Sequence, residues 1–265
     1  MGFLRRLWTK YLQDEIGTRA AALAYYALFS FFPLLLLVIG LGGYILGDPR
    51  IQQEAVAGLV RYIPAQGELL DPILQQVIQA RGRFSLIGTL TLLWAASSYF
   101  SSLYGAIHRI FDGSRLRAGW KIRVYALWIT LFTAPLLVMP TLLTALSAPR
   151  IRHLPLPAPM IDLIDAGLHQ ALALLLAVVV LYLYFRHIPL RRPPALSAAI
   201  GASTAALLWT GLNVGFAWYL KSGLVQYNLV YGSIASVIAL VLWLYLSSLS
   251  ILVGAEVAAI LAHMP

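Results

Sequence analysis

The stretch YGSIASVIALVLWLYLSSLSILVGAE, from Tyr231 to Glu256, decides the fold of this chain. It carries no charge before its last residue, and about 20 apolar helical residues suffice to cross the roughly 30 Å hydrocarbon core of a bilayer. Residues that recur at spacings of three and four share one face of a helix. Here that face consists of Ser236, Leu240, Trp243, Ser247, Ser250 and Gly254. We predict a transmembrane helix that packs this face against protein.

The composition of the whole chain also indicates a membrane protein. Hydrophobic residues make up 60% of the 265 residues and charged residues only 11%, and the mean hydropathy is +0.81. Such a chain has too little polar surface to cover a water-soluble globule of this size. The sequence contains no cysteine, which excludes disulfides, cysteine metal sites and thiol catalysis.

The positions of the charges divide the chain into spans. We predict an all-α fold, a polytopic membrane helix bundle that forms a single transmembrane domain over residues 1–265. Six transmembrane helices are expected, at residues 20–46, 84–107, 124–146, 166–185, 196–220 and 229–257. The first is too long for a signal-peptide core, so we expect it in the mature protein.

The first extracytoplasmic loop has a different pattern. Apolar residues at helical spacing alternate there with polar ones, which predicts two amphipathic helices, at residues 51–63 and 72–81. These helices either lie flat on the outer membrane surface or cover the mouth of a cavity.

The distribution of Lys and Arg predicts the orientation. Cytoplasmic loops of membrane proteins carry an excess of these residues. Of the 19 in the chain, twelve fall on the side of the N-terminus: Arg5, Arg6, Lys10, Arg19, Arg109, Arg115, Arg117, Lys121, Arg123, Arg186, Arg191 and Arg192. Both termini are therefore expected in the cytoplasm.

The net charge of +9 predicts lipid partners. The basic residues flank spans, where the headgroups of anionic lipids are the nearest partners, and no nucleic-acid partner is expected. The densest basic patch lies in the loop after the second span, and its candidate contacts to anionic lipid are Arg115, Arg117, Lys121 and Arg123.

Two titratable residues are candidates for coupling transport to protons or ions. Glu256 lies near the cytoplasmic end of the last span, where it could carry protons, bind a cation or form an ion pair with a base such as Arg19 or Arg186. His169 is the second candidate, because imidazole titrates near neutral pH. A hydrogen-bonded packing role is the alternative for His169.

Small and polar residues inside or beside the spans form a further group. Such residues allow helices to pack closely, and they line cavities where the bundle is open. The candidates for a cavity or helix-packing face are Ser30, Pro33, Ser97, Ser98, Ser101, Asn213, Asn228, Tyr231, Ser236 and Ser247. Around Asn213, Gly211 and Gly215 form a GxxxG pattern, which is common on contact faces of membrane helices.

Both ends of the chain resemble one family. The first span, AAALAYYALFSFFPLLLLVIG at residues 20–40, resembles the opening signature of the YihY/virulence factor BrkB family. The last span resembles its closing signature through Tyr231-Gly232-Ser233, Leu242-Trp243-Leu244-Tyr245 and Gly254-Ala255-Glu256. His108 is a departure, since an asparagine is expected there. The resemblance implies a multi-pass protein of the bacterial inner membrane, linked in some members to envelope integrity.

The family was historically labelled ribonuclease BN, and the residues argue against that activity. Metal-dependent RNA cleavage needs clustered carboxylates or histidines to hold ions and activate water. The five histidines are far apart in the sequence, and the acidic residues show no paired spacing on one cytoplasmic element. We therefore expect neither an enzyme nor a bound metal or cofactor.

Two functions remain. The first is a transporter or exporter of a lipid-like or anionic solute of the cell envelope. The second is a non-transporting scaffold that binds lipids or partner proteins. A cavity that joins the faces of Ser97 and Ser247 favours transport, whereas a tightly packed centre favours the scaffold. The sequence leaves the substrate and the oligomeric state open.

Overall fold

A computed structural model describes residues 2–30, 86–113, 124, 128, 157–222 and 235–263. All regular structure in these ranges is helical, which confirms the predicted all-α class. The helices are α1 (Phe3–Gln13), α2 (residues 16–30, up to the end of the described range), α3 (Leu86–Asp112), α4 (Ala158–His187), α5 (Ala195–Lys221) and α6 (Ala235–Ala262). Residues 124 and 128, in the predicted third span, are also helical.

Three helices among the described residues are long and apolar enough to cross a membrane. Their apolar parts are Gln170–His187, Ala195–Leu220 and Val237–Ala262, at the places of the last three predicted spans. Within the described ranges, two boundaries of these three helices differ from the prediction by about five residues or more. α4 begins at Ala158, before the predicted start at 166, because Pro159 lies in its first turn, where a missing N–H is harmless. α6 continues past 257, because the residues that follow remain apolar.

Several predicted elements lie outside the described residues. They are the amphipathic helices at 51–63 and 72–81, most of the span at 124–146, and the second half of the span at 20–46.

The sequence analysis missed α1. Its sequence, FLRRLWTKYLQ, is too short and too basic for a span, but its large apolar residues recur every four positions. No residue of α1 is buried, so the helix lies on the surface of the bundle. Only Asp14 and Glu15 separate it from α2, and Glu15 adopts a left-handed backbone with φ of +53°.

Small residues allow α5 and α6 to pack in very close contact. A Cβ atom at Gly201 would lie 2.5 Å from the Cβ of Ala258 and 2.5 Å from the carbonyl oxygen of Gly254, so there is no room for a side chain. Farther along the pair, Trp243 of α6 contacts Asn213 of α5. Residue numbers rise on one helix as they fall on the other, so the two helices are antiparallel.

The main core closes the end of the bundle that holds both chain ends. It combines the start of α2, the ends of α3 and α4, the start of α5 and the end of α6. Its fully buried members include Ile16, Ile107, Phe185, Ala202 and Leu252. α6 contacts α1, α3, α4 and α5, so it is the central helix of the described bundle. A smaller core around Phe216 and Trp243 lies toward the other end.

Candidate functional site

Glu256 is the most unusual residue of the bundle. It lies on α6, within the apolar stretch Val237–Ala262, and its side chain is 0% exposed. Within the described part of the chain, no hydrogen bond reaches either carboxylate oxygen. A buried carboxylate without donors is strongly unfavourable unless a nearby cation compensates its charge.

That cation comes from α1. The Nζ atom of Lys10 lies 3.9 Å from Oε2 of Glu256 and 3.9 Å from Oδ2 of Asp14. It also donates a long hydrogen bond of 3.5 Å to the carbonyl oxygen of Ile110, at the end of α3. One ammonium group is thus shared by oxygens from three elements. At 3.9 Å the contact with Glu256 is an ion pair without a hydrogen bond.

The predicted partners of Glu256 were wrong. Arg19 instead forms an ion pair with Glu15 at 3.8 Å and donates a 2.8 Å hydrogen bond to the backbone oxygen of Asp14. Arg186 donates to the backbone oxygen of Pro193, in the loop between α4 and α5. Both arginines lie close to their acceptors in the sequence, and these local contacts occupy them.

Asp14 connects the site to the bundle surface. Besides Lys10, it contacts Nε of Arg109 on α3 at 3.9 Å, and its carboxyl group also interacts with Glu256. Its side chain is only 15% exposed. The sequence analysis assigned no role to Lys10 or Asp14, although their spacing of four within an amphipathic segment could have revealed the pair.

Two tyrosines support the same contact between α1 and α6. Tyr11 hydrogen-bonds to Tyr245, and Gly17 lies beside both hydroxyl groups. Burial and, secondarily, the neighbouring Tyr245 raise the pKa of the Tyr11 phenol above its ordinary value. The hydroxyl group of Tyr11 therefore stays protonated at neutral pH, so the hydrogen bond between Tyr11 and Tyr245 joins two neutral groups.

A second polar cluster lies at the same end of the bundle. His108 of α3 is 2% exposed, and its Nε2 atom lies 3.6 Å from Oδ2 of Asp112. The same oxygen accepts a 3.0 Å hydrogen bond from the backbone N–H of Leu190, after α4. Nδ1 of His108 is buried without a partner. Asp112 thereby ties α3 to the loop that follows α4, a role that the sequence analysis did not assign.

Three serines of the predicted cavity or helix-packing face donate hydrogen bonds to carbonyl oxygens of their own helices. Ser97 and Ser98 each donate a 2.8 Å hydrogen bond to the carbonyl oxygen of Trp94, and Ser30 donates to that of Ala27 at 3.1 Å. The hydroxyl oxygens of Ser101 on α3 and Ser247 on α6 are buried and have no hydrogen-bond partner among the residues that the structure describes.

Asn213 faces protein. Its Oδ1 atom accepts a 2.8 Å hydrogen bond from Nε1 of Trp243. The glycines that flank Asn213 in the GxxxG pattern do not form the close contact with α6, because no described atom lies within 4 Å of a Cβ atom built at Gly211 or Gly215.

A groove runs along the outside of α5 and α6. Its volume is about 540 Å³ and its lining is mostly apolar. The lining residues are Thr204, Leu207, Leu208, Gly211, Leu212 and Ser250. Leu207 and Leu208 are exposed, so the groove opens on the surface of the bundle.

The other predicted site residues cannot be placed with their side chains. His169 lies in α4 and Ser236 in α6, but the description covers only their backbones. Pro33, Asn228, Tyr231, Arg115, Arg117, Lys121 and Arg123 lie outside the described residues. Within the described ranges, no three His, Asp or Glu side chains are grouped to hold a metal ion.

The chain is similar to known membrane proteins over nearly its whole length. The family model described as Virulence factor BrkB matches residues 7–265. The UPF0761 membrane protein YihY of Salmonella typhimurium is 29% identical, over 98% of this chain and 88% of its own length. A UPF0761 membrane protein of Cronobacter sakazakii is 27% identical, over 97% and 87%. A Bacillus subtilis protein named as ribonuclease-like, YfkH, is 25% identical, over 98% and 95%. No solved structure matches significantly. Because the family model covers nearly the whole sequence, this chain is a membrane protein of the Virulence factor BrkB family.

Proposed function

We propose that this protein is a transporter or exporter of a lipid-like or anionic envelope solute in the bacterial inner membrane. The proposal includes one transmembrane domain with six spans and both termini in the cytoplasm. The observation that carries it is the fully buried Glu256, which among the described residues forms an ion pair with Lys10 from a surface helix.

A buried carboxylate of this kind has no evident use in a passive scaffold. Moving a carboxylate out of water costs several kcal/mol even after relaxation, and ionisable groups at membrane depth typically mark ion or substrate pathways. The carboxylate therefore supports a function that needs a charge there.

The arrangement suggests how Glu256 would take part in transport. Lys10 is tethered on α1 and is 33% exposed, so it can leave without unfolding the bundle. When it leaves, Glu256 must take up another positive charge, either a proton or a cation. Exchange of Lys10 for that charge is the coupling step that we propose, and His169 remains a second candidate.

The groove on α5 and α6 supports a lipid-like solute. Its lining is mostly apolar, and the hydroxyl groups of Thr204 and Ser250 donate to carbonyl oxygens of their own helices. An apolar groove of about 540 Å³ that opens on the bundle surface is accessible to acyl chains. The basic loop with Arg115 and Arg117 is proposed to contact anionic headgroups.

Flux measurements in vesicles test the proposal. The probe is phosphatidylglycerol with a fluorescent acyl chain, placed in proteoliposomes and bleached from outside by dithionite, with and without a pH gradient. Wild-type protein should expose inner-leaflet probe to bleaching. The Glu256→Gln variant, which keeps the shape of the side chain, should abolish the part of the flux that depends on the gradient.

Arg192→Gln is the control. It removes one charge from an exposed position in the loop before α5, so this variant should keep wild-type flux. Equal gradient-driven flux from Glu256→Gln and wild type would refute the coupling role.

The scaffold is the second candidate function, and the closely packed core at the end of the bundle with both termini favours it. It predicts no probe movement in any vesicle and a stable partner protein that can be trapped by crosslinking. These two results together would replace the transporter proposal.

A further inference from the structure

α1 presents a distinct face to the bundle. Lys10 reaches Glu256, and Tyr11 reaches Tyr245, so both contacts point toward α6. Leu7, on the same side, is half-buried. This face explains how α1 is held on the bundle, but it uses only part of the helix surface.

A second face of α1 points away from the bundle and is apolar. Leu4, Trp8 and Leu12 are 77%, 63% and 58% exposed. They follow one another at intervals of four, so they lie within about 80° of the helix circumference. The ring of Trp8 stacks on that of Tyr11, with 5.6 Å between centroids, and is thereby oriented. A contiguous exposed apolar strip indicates a surface that is covered in the working protein.

The charges beside this strip indicate what covers it. Arg5 borders the strip next to Leu12, whereas Arg6 lies about 100° farther around the helix, on the side of Lys10. Both arginines are exposed, and the sequence FLRRLWTKYLQ contains no acidic residue. An amphipathic helix with an apolar face, one arginine at its edge, a second within a Debye length of the same surface and an exposed tryptophan fits the interface of a bilayer that contains anionic lipid. A protein partner would need an acidic rim to match the same charges.

The position of α1 in the chain leads to the same partner. α2 begins at Ile16, three residues after α1 ends at Gln13. The sequence of α2 opens the first predicted span, so this short connection keeps α1 at the level of the membrane surface.

We propose that α1 is an interfacial helix that binds the anionic phospholipid of its own membrane through Leu4, Trp8, Leu12, Arg5 and Arg6. Because the opposite side of the same helix carries Lys10, attachment to the lipid holds Lys10 against Glu256. The anionic lipid content of the leaflet thereby regulates how often Glu256 is paired. The lipid-binding part of this inference does not depend on transport.

The first test measures the depth of α1 in the membrane. Because the chain has no cysteine, a Leu12→Cys variant of the full chain can be labelled at one site with a fluorophore that brominated lipids quench. In phosphatidylcholine vesicles, added phosphatidylglycerol should increase the quenching. The pair Arg5→Gln and Arg6→Gln should weaken this attachment about fivefold per arginine.

Matched charge removal provides the control. Arg191→Gln with Arg192→Gln removes the same charge from exposed positions in the loop before α5 and should leave the quenching unchanged. A label that stays water-exposed at every lipid composition would overturn the proposal. So would energy transfer between labelled copies without lipid quenching, because it would assign the strip to a second copy of the chain.

The second test follows Lys10 directly in wild-type protein. A membrane-permeant acetylating reagent and mass spectrometry give the reaction rate of Lys10, with Lys221 as the internal reference. Lys10 should react more slowly as phosphatidylglycerol is added, and faster in the Arg5→Gln, Arg6→Gln variant. A rate that is the same at every lipid composition would overturn the link between lipid attachment and Glu256. Flux is not measured here, so failure of the transporter proposal leaves this result interpretable.

Discussion

The contact between Gly201 and Gly254 permits a sharp test of how the bundle is held together. In Gly254→Ala, the new Cβ atom would lie 2.6 Å from the carbonyl oxygen of Gly201 and would also collide with the Cβ of Ala205. Carbon atoms in ordinary contact are about 3.5–4.0 Å apart. The obstacles are backbone and a β-carbon, which cannot rotate away, so α5 and α6 must separate by about 1 Å.

The size of the effect follows from this separation. A gap of 0.5–1 Å forfeits about a quarter to a half of each dispersion contact, and overpacking of a tight core typically costs about 1–3 kcal/mol. Because both partners here are rigid, we expect about 2–3 kcal/mol. Replacing a helical glycine by alanine returns at most about 1 kcal/mol through helix propensity. Gly254→Ala should therefore lower the free energy of unfolding by about 1–2 kcal/mol.

Gly211→Ala is the matched control. Gly211 lies on α5, the helix that Gly254 contacts, and no described atom is within 4 Å of its built Cβ atom. Gly211→Ala should gain the higher helix propensity of alanine without any overpacking. The free energies of unfolding of the two variants should therefore differ by about 2–3 kcal/mol. Unfolding of the purified protein in mixed micelles, titrated with SDS and followed by far-UV circular dichroism, measures this difference. Equal stability of the two variants would refute the close packing of α5 on α6.

Two further predictions concern polar contacts. Lys10→Met should destabilise the protein by about 1–3 kcal/mol because it leaves Glu256 buried without a cation. Adding Glu256→Leu should restore most of the lost stability in the same unfolding titration. A Lys10→Met variant as stable as wild type would contradict the ion pair. Asn213→Ala should cost about 1 kcal/mol through loss of the hydrogen bond from Trp243, and the emission of Trp243 should shift when its N–H loses that acceptor. For this measurement the other six tryptophans are replaced, so that the emission comes from Trp243 alone. An unchanged spectrum would contradict the contact.

Hydropathy predicted the long helices well for a physical reason. α5 is a single apolar run between Pro194 and Lys221, so its predicted bounds of 196–220 differ from the observed ones by one residue at each end. α1 has no such run. The recurrence of its apolar residues every four positions is visible in the sequence. A search for long apolar transmembrane spans nevertheless does not detect a basic segment of 11 residues.

The candidate site was harder to predict. Glu256 could be singled out because an acidic residue at the end of a long apolar stretch is costly. Its partner could not, because Lys10 stands at the other end of the chain and only the tertiary fold brings it to α6. Likewise, the rotation of each helix about its axis decides which small residues meet. It places Gly201 and Gly254 in contact and leaves Gly211 exposed.

The left-handed backbone of Glu15 has a mechanical consequence. A non-glycine residue with positive φ carries a strain of order 1–3 kcal/mol, which the surrounding contacts must hold. Here the ion pair of Glu15 with Arg19 and the hydrogen bond from Arg19 to Asp14 brace the bend on both sides. α1 and α2 therefore meet at a stiff elbow. With α1 as an arm of about 16 Å, a small tilt of that arm at the membrane surface becomes a torque on α2 at Ile16.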